Sequence, residues 1–197
     1  MASPFTEQER SIIKKSLHEA ARKYAAGIGM RNTTVDQLAK EAGISKGAFY
    51  KFYASKEHLF FEILESWHTE LYEAAFIKWQ SAAGLAAPQR AAETLLEVCR
   101  LLEYNSMLNF IEEDISHVLR KIPAEVLEKH YHSDDIHIRE LMERMDIKLK
   151  QPPEVASAAI RALLLTLSNR NNIGTAFPQV LKLMVFGVCE QLIVQEH

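Results

Sequence analysis

The chain has 197 residues, of which 48 % are hydrophobic, and a net charge of −3 at pH 7. This length provides one or two modest domains with a real core. Residues 1–10 are polar and charged, which excludes a secretory signal, and we find no apolar run of membrane-spanning length. We therefore expect a soluble, cytoplasmic protein with no membrane partner.

Positive charge is concentrated at the N-terminal end of the chain. Residues 1–56 contain ten Lys or Arg against five Asp or Glu, a net charge of +5, so the remainder of the chain carries −8. A basic segment on an acidic body suits a local anionic partner such as a DNA backbone. The alternative is a Lys-rich helix pair that only keeps the surface hydrated.

The residue types that bind metals or catalyse reactions form no recognisable site. Cys99 and Cys189 lie in apolar helical patterns, which favours buried core thiols over a redox sensor. The densest histidine group is His130, His132, His137, Asp134 and Asp135. On one helix His130 and Asp134 share a face and His132 does not, so we expect no metal and no other cofactor. Because nucleophile-elbow, phosphate-loop and zinc-protease motifs are absent, we expect no enzyme.

Apolar periodicity predicts helices along the whole chain. The first covers residues 6–28 and ends at Gly29. Further helices are expected at 35–42, 46–51, 55–81, from Pro88 onward, at 104–119, 123–150 with a break near 133–134, 154–171 and 177–195. The predicted fold class is all-α, with about nine helices.

Residues 34–59 have the pattern of a helix-turn-helix. Thr34 and Gln37 form a capping box, Gly43 can adopt the left-handed conformation that ends a helix, and Ser45 is a good N-cap for the next one. Apolar residues on facing sides, together with the small Ala39, allow two helices to cross closely.

The run Ala-Gly-Ile-Ser-Lys-Gly-Ala-Phe-Tyr-Lys-Phe-Tyr-Ala-Ser-Lys-Glu-His-Leu, residues 42–59, resembles the DNA-binding domain of the TetR family of bacterial transcription regulators. In that family Ser-x-Gly-x-(Leu/Phe)-Tyr is the recognition helix, and Ser-Lys-Glu-x-Leu opens a long helix into the body. The resemblance implies a three-helix DNA-binding domain at 1–54 and a ligand-binding and dimerisation domain at 55–197. Phe52 and Tyr53 depart mildly from the family pattern, and Tyr53 is expected to replace a polar ring that contacts phosphate.

Three kinds of DNA contact are predicted from the first residues of the recognition helix and its neighbours. Lys46 leads the helix that would enter the major groove and can donate to a guanine, while Gly47 and Ala48 let the backbone come close. The remaining contacts are expected at phosphates. The predicted DNA-binding residues are Thr33, Thr34, Ser45, Lys46, Gly47, Ala48, Tyr50, Lys51, Tyr53 and Lys56.

The last two predicted helices carry more apolar surface than the edge of a monomer needs, unless both are simply core. In the resembled family the matching helices of two subunits form a four-helix interface. The predicted dimer residues are Ala158, Ala162, Leu165, Val180, Leu183, Met184, Gly187 and Val188.

The family resemblance also implies an effector cavity between helices of the body. The residues expected to line it are Trp67, Tyr104, Met107, Phe110, Ile111, His117, Leu165 and Asn169, each of which could instead be plain core. The function so implied is a ligand-responsive homodimeric repressor that binds a palindromic operator in double-stranded DNA and is released by a small-molecule effector. The alternative is an effector-free nucleoid-associated or protein-interaction module on the same fold.

Overall fold

The computed structural model describes residues 5–104 and 107–195, without the side chains of residues 131–135. Over this part of the chain it contains eleven α-helices and two 3₁₀ turns, and no strand beyond one isolated antiparallel bridge between Leu149 and Ile193. The predicted all-α class is confirmed. The histidine group falls partly outside the described side chains, since His132, Asp134 and Asp135 belong to the omitted stretch.

The helices follow one another with short connections. In chain order they are α1 (Glu7–Ala26), α2 (Val35–Glu41), α3 (Lys46–Phe49), α4 (Lys56–Ser81), α5 (Ala87–Tyr104), α6 (Met107–Glu113), α7 (Ile115–Leu119), α8 (Ala124–Arg144), α9 (Pro153–Thr166), α10 (Arg170–Ile173) and α11 (Phe177–Leu192). The 3₁₀ turns are Leu167–Asn169 and Gly174–Ala176.

The N-terminal helices begin and end where local signals place them. Thr34 and Gln37 form the predicted capping box at the start of α2, and the Ser45 hydroxyl accepts the Ala48 N–H at the start of α3. Gly43 has φ 69°, the left-handed conformation expected between the two helices. The helix-turn-helix geometry therefore follows from short-range chemistry.

Three predicted helices differ from the structure. The helix expected at 104–119 is divided at Asp114 into α6 and α7, and the carboxylate at this division binds a distant loop. The helix α8 continues through 133–134 without the expected break and ends at Arg144, before Lys150. The helix expected at 154–171 gives way after Thr166 to 3₁₀ and short α turns.

The chain packs into two compact units that are each discontinuous in sequence. Unit 1 consists of Met1–Trp67 and Asn105–Leu127, and unit 2 of His68–Tyr104 and Glu128–His197. In unit 1, Leu17, Leu38, Phe49, Phe60 and Phe110 are fully or almost fully buried. The predicted functional division into 1–54 and 55–197 stays a prediction.

Unit 2 has its own core. Trp79, Ala75 and Met145 are buried together, and the Arg90 guanidinium lies 4.0 Å from the centre of the Trp79 ring. Helices α5 and α11 pack against each other, and both cysteines of the chain, Cys99 on α5 and Cys189 on α11, are buried. Burial raises the pKa of the Cys99 thiol to about 12 and that of Cys189 to about 11, so both thiols are protonated at neutral pH.

One stretch corrects the expectation that no segment reaches membrane-spanning length. Residues Pro153–Leu192 are long and apolar enough to do so by composition. The stretch is interrupted by both 3₁₀ turns and by Gly174 at φ 81°, and a single apolar segment is weak evidence for a membrane helix. Only 22 % of its most apolar window is buried in the chain, so this apolar surface is largely open.

Candidate nucleic-acid interface

The helix α3 presents an exposed polar face, which we name the reading surface: Ser45, Lys46, Gly47, Tyr50 and Lys51. All five residues are exposed, and Tyr50 shows 52 % of its surface. The side chain of Phe49 points the other way and is fully buried, with its ring edge-on to Tyr50 at 5.6 Å. Because one aromatic anchors α3 from beneath, its short polar face is held open to solvent.

Lys46 is tied to the preceding helix by an ion pair. Its ammonium donates to the Asp36 carboxylate at 2.7 Å, which joins the start of α2 to the start of α3. The hydrogen bond and charge of Asp36 raise the pKa of Lys46. Both side chains are more than half exposed, so the pair is screened by water and can exchange Asp36 for another anion.

Lys51 lies beside an aromatic pair at the end of the reading surface. Its ammonium is 5.6 Å from the centre of the Phe5 ring, and the Phe5 and Phe52 rings are also 5.6 Å apart. Arg10 covers Phe52 at 5.0 Å. Two cations therefore lie near the end of α3 with no carboxylate among these contacts.

The structure corrects the role predicted for Tyr53. Its side chain is only 5 % exposed, and its hydroxyl is hydrogen-bonded to the His18 ring at 3.1 Å and to Glu62. Burial is the main reason that the pKa of Tyr53 is raised, so the phenol stays neutral. Tyr53 ties α1 to α4 inside unit 1 and is not available as a phosphate contact.

Glu62 in this cluster gives a pH-dependent contribution to stability. Its hydrogen bond to His18, helped by Tyr53 and Lys14, lowers the pKa of Glu62 from 4.5 to about 2. A depressed carboxyl pKa stabilises the fold above the unfolded value, so this contribution is present above pH 4.5 and is lost as the pH falls toward 2. Because the side chain is 40 % exposed, we expect the effect to be about 1 kcal/mol.

The variant Glu62→Gln tests this. We expect the wild type to be more stable than the variant at pH 6. In urea unfolding the difference should shrink by roughly 0.6 kcal/mol at pH 3, which lies between the unfolded and folded pKa values of Glu62. Glu19→Gln, which alters an exposed carboxylate on the same helix as His18, is the matched control. A difference that stays constant between the two pH values would contradict the assignment.

The residues before α2 also differ from the predicted phosphate site. Thr33 is 1 % exposed, its hydroxyl donates to the Gly29 carbonyl, and its N–H donates to the Met30 carbonyl. The Thr34 N–H donates to the Gln37 side chain at 2.7 Å. The N–H groups of Thr33 and Thr34 are thus satisfied within the protein, and the burial of Thr33 corrects the prediction for that residue. The Thr34 side chain remains exposed.

Lys56 is engaged in the same region. Its ammonium donates to the carbonyls of Met30, Arg31 and Thr33 at 2.9, 3.1 and 2.6 Å. All three donors of the ammonium are used, so this Lys has a structural task that the sequence did not suggest. Its phosphate contact stays a prediction.

The residues predicted to line an effector cavity are divided between the units. Trp67, Met107 and Phe110 belong to the core of unit 1, where the Trp67 and Phe110 rings meet edge-on at 5.3 Å, and Ile111 and His117 are half-buried there. In unit 2, Tyr104 is 79 % exposed, Leu165 is 61 % exposed and Asn169 is exposed. The last three lie on the surface of unit 2, and the place of all eight residues in an effector cavity stays a prediction.

The predicted dimer residues share one property in unit 2: none of them is buried. Ala158, Ala162 and Leu165 are exposed on α9, and Leu183 and Gly187 are exposed on α11, with Leu183 at 74 %. The three others, Val180, Met184 and Val188, are half-buried. The two helices that carry these residues, α9 and α11, pack against each other.

Sequence reasoning missed two acidic residues of unit 1. Asp36 pairs with Lys46 across the helix-turn-helix, and Asp114 holds the connection between α1 and α2. Asp36 in the first turn of α2 could have been paired with Lys46 from the predicted crossing of the two helices. Asp114 had no local signal, since its partners are 84 and 83 residues away.

The capped helix α2 and a left-handed turn precede α3, which is short, exposed and cationic and is supported by a buried aromatic ring. Together these features define a helix-turn-helix DNA-binding domain. Residues 17–63 match the family described as "Bacterial regulatory proteins, tetR family". Residues 17–63 are therefore a DNA-binding domain of the TetR family of transcription regulators.

Similar proteins support this assignment over different lengths. An uncharacterized HTH-type transcriptional regulator of Bacillus subtilis, YuxN, is 28 % identical over 136 residues, which cover 64 % of this chain and 44 % of YuxN. The chain spans less than half the length of the curated relatives that it matches.

Solved structures share the fold across almost the whole chain. A TetR-family regulator from Pectobacterium atrosepticum gives a TM-score of 0.69 at 17 % identity, covering 98 % of this chain and 100 % of that one. The regulator FadR of Bacillus subtilis, in complex with stearoyl-CoA, gives 0.62 at 16 % identity, covering 90 % and 98 %. At these identities the likeness concerns the fold.

Proposed function

We propose that the protein is a transcriptional repressor that binds a palindromic operator as a homodimer and leaves it when a small molecule binds its body. The reading surface carries this proposal, because it combines exposed cationic and hydrogen-bonding groups with a glycine in open space on a rigidly anchored helix. Two such surfaces in one dimer would enter successive major grooves about 34–36 Å apart.

The open faces of α9 and α11 support the homodimer. Leu183 and Leu165 expose 74 % and 61 % of their surface, and the small residues Ala158, Ala162 and Gly187 on the same two helices permit close helix approach. Exposed apolar side chains of this kind mark an interaction surface. A second copy of the same face is its natural partner, since a twofold axis joins identical patches.

The effector is proposed from the likeness of the fold to a ligand-binding regulator. FadR, which has the same fold, is described with stearoyl-CoA bound, and bundles hold ligands between their helices. A small molecule could bind preferentially to a conformation in which the two DNA-binding domains of the dimer are wrongly spaced for the operator. It would then weaken operator binding by the difference between its affinities for this conformation and for the DNA-binding one. Coupling of about 1–3 kcal/mol corresponds to a 5- to 150-fold change. We expect this regulator to act in the cytoplasm, where operator DNA is found.

The experiment begins with selection of operators from fragmented genomic DNA and then compares two lysine variants. We expect Lys46→Ala to relax sequence preference, because Lys46 leads the helix that reads base edges. We expect Lys51→Ala to weaken specific and random DNA alike, and to reduce the slope of log K against log salt by about 0.9, the loss of one phosphate contact.

The control is Lys182→Ala, a substitution of an exposed lysine on α11 outside unit 1. It should leave both binding curves unchanged. Uniform, salt-steep binding with no selected palindrome would favour a nucleoid-associated module instead. Variants of Lys46 and Lys51 that bind like the wild type would refute the assignment of the reading surface.

A further inference from the structure

Residues 29–33, within the connection between α1 and α2, are held by a buried carboxylate from another part of unit 1. Asp114 is 3 % exposed and lies between α6 and α7. It accepts the Met30 N–H at 2.6 Å through Oδ2 and the Arg31 N–H at 3.3 Å through Oδ1. Two consecutive backbone N–H groups thus donate to one carboxylate. The carboxylate lies 84 residues after Met30 and 83 residues after Arg31 in the sequence.

The backbone at Gly29 is shaped for this contact. Gly29 has φ 80°, a backbone conformation that residues other than glycine rarely adopt. A Cβ placed there would be 3.2 Å from Asp114 Oδ2. The left-handed turn therefore favours glycine at this position, and a Cβ would in addition crowd the Asp114 carboxylate. Arg31 adds a bond from its guanidinium to the Glu113 carbonyl at 2.8 Å and lies 3.5 Å from Asp114 Oδ1.

The same connection is held from its acceptor side by Lys56. The Lys56 ammonium donates hydrogen bonds to the carbonyl oxygens of Met30, Arg31 and Thr33. The N–H groups of the loop thus bind an anion and its carbonyls bind a cation. We name Asp114 and Lys56 together the loop clamp. A short segment whose N–H groups and carbonyl groups are both hydrogen-bonded to fixed side chains has very little freedom to move.

We propose that Asp114 is a positioning residue for DNA binding, an inference that rests on the proposed function. The loop leads directly into Thr34, the cap of α2, and α2 packs on α3. Fixing the Met30 and Arg31 backbone fixes the point from which α2 departs and, through it, the direction in which the reading surface faces. Asp114 touches no DNA in this scheme and acts through the loop.

The burial of Asp114 supports a positioning task. A buried carboxylate contributes little net stability, because its desolvation offsets its hydrogen bonds. What such a group supplies well is a specific geometry, since it accepts only donors that are correctly placed. The carboxylate is also at the point where one predicted helix is divided in two, so the local helix is interrupted around it.

The test compares Asp114→Asn with Val118→Ala in the full-length protein. Asparagine keeps the size of the side chain but replaces one accepting oxygen with a donor, so one loop N–H loses its partner. We expect the Met30 amide to exchange its hydrogen at least 10-fold faster, and operator affinity to fall at least 10-fold, at a temperature where the variant is fully folded. Val118 is fully buried on α7, and its truncation destabilises the same helices while leaving both side chains of the clamp in place.

Val118→Ala is expected to lower the melting temperature and to leave the Met30 amide and the operator affinity within 2-fold of wild type. Equal loss of affinity in both variants, or wild-type exchange at Met30 in Asp114→Asn, would overturn the proposal. If Asp114→Asn does not fold, Lys56→Met tests the clamp from the other side, and unchanged exchange at Met30 would again overturn it. Failure of the wild type to select an operator would refute the proposed function, whereas the exchange comparison reports on the clamp alone.

Discussion

Replacement of Gly47 by valine is expected to reduce DNA affinity at least 100-fold while leaving the fold intact. Gly47 is exposed on the reading surface, and a Cβ added there would meet no protein atom within 4 Å. The free protein therefore has no steric need for glycine at this position. If α3 enters a major groove, a branched side chain there would hold the helix away from the bases and phosphates. Losing three contacts of about 1–1.5 kcal/mol each gives an effect of this size.

Fluorescence anisotropy with labelled operator DNA measures the effect, and thermal unfolding verifies the fold. Gly84→Val is the matched control, because Gly84 is also exposed and also has open space around an added Cβ, but lies in unit 2. It should bind DNA like the wild type. Unaltered binding by Gly47→Val would mean that α3 does not approach DNA closely.

Replacement of Leu183 by glutamate should convert the proposed dimer into monomers. Leu183 is 74 % exposed in the single chain, so a charge there costs the isolated subunit almost nothing. In the interface between two subunits, the introduced carboxylate would lose its water. The twofold symmetry would also place a second introduced carboxylate on the facing surface of the partner. We expect the dimer dissociation constant to rise at least 100-fold, about 2.7 kcal/mol, by sedimentation velocity. Operator affinity should fall with it, because two half-sites would no longer be bound by one molecule.

Ile77→Glu is the matched control for Leu183→Glu. Ile77 is 63 % exposed on α4 and does not belong to the predicted face of α9 and α11. Its variant should sediment like the wild type. A Leu183→Glu protein that remains dimeric at micromolar concentration would place the subunit interface elsewhere, and equal dissociation of both variants would show that any surface charge weakens the dimer.

The N-terminal helices were predictable because their signals are local. The Thr34 capping box, the turn at Gly43 and the cap at Ser45 each need only three or four neighbouring residues, and each has the expected geometry. The open apolar face of α9 and α11 was also anticipated from composition. Its residues are exposed or half-buried, although the dimer itself stays a prediction.

The roles of individual polar residues were less accessible, because their partners are far along the chain. Tyr53 follows the recognition helix and was assigned to phosphate, but its hydroxyl binds His18, 35 residues earlier. Lys56 was assigned in the same way, and its carbonyl partners lie 23 to 26 residues before it. Periodicity identifies the face of a helix that a residue occupies. It does not tell which distant group the tip of that residue meets.

The effector residues illustrate the same difficulty for a cavity. The criterion of apolar walls with a few polar tips selected Phe110, which is completely buried in unit 1. It also selected Tyr104, which is largely exposed in unit 2. A cavity is a property of how helices are arranged, and a list of residue types does not contain that arrangement.

The dependence of residues 29–33 on Asp114 bears on how sensor proteins are recombined. A chimera that joins the first 67 residues of this chain to the body of a relative would omit the carboxylate that receives the Met30 and Arg31 amides. Its recognition module would be complete in sequence and incomplete in structure. A working graft would have to carry residues 105–127 as well, so the exchangeable cassette is made of two separate pieces of the gene.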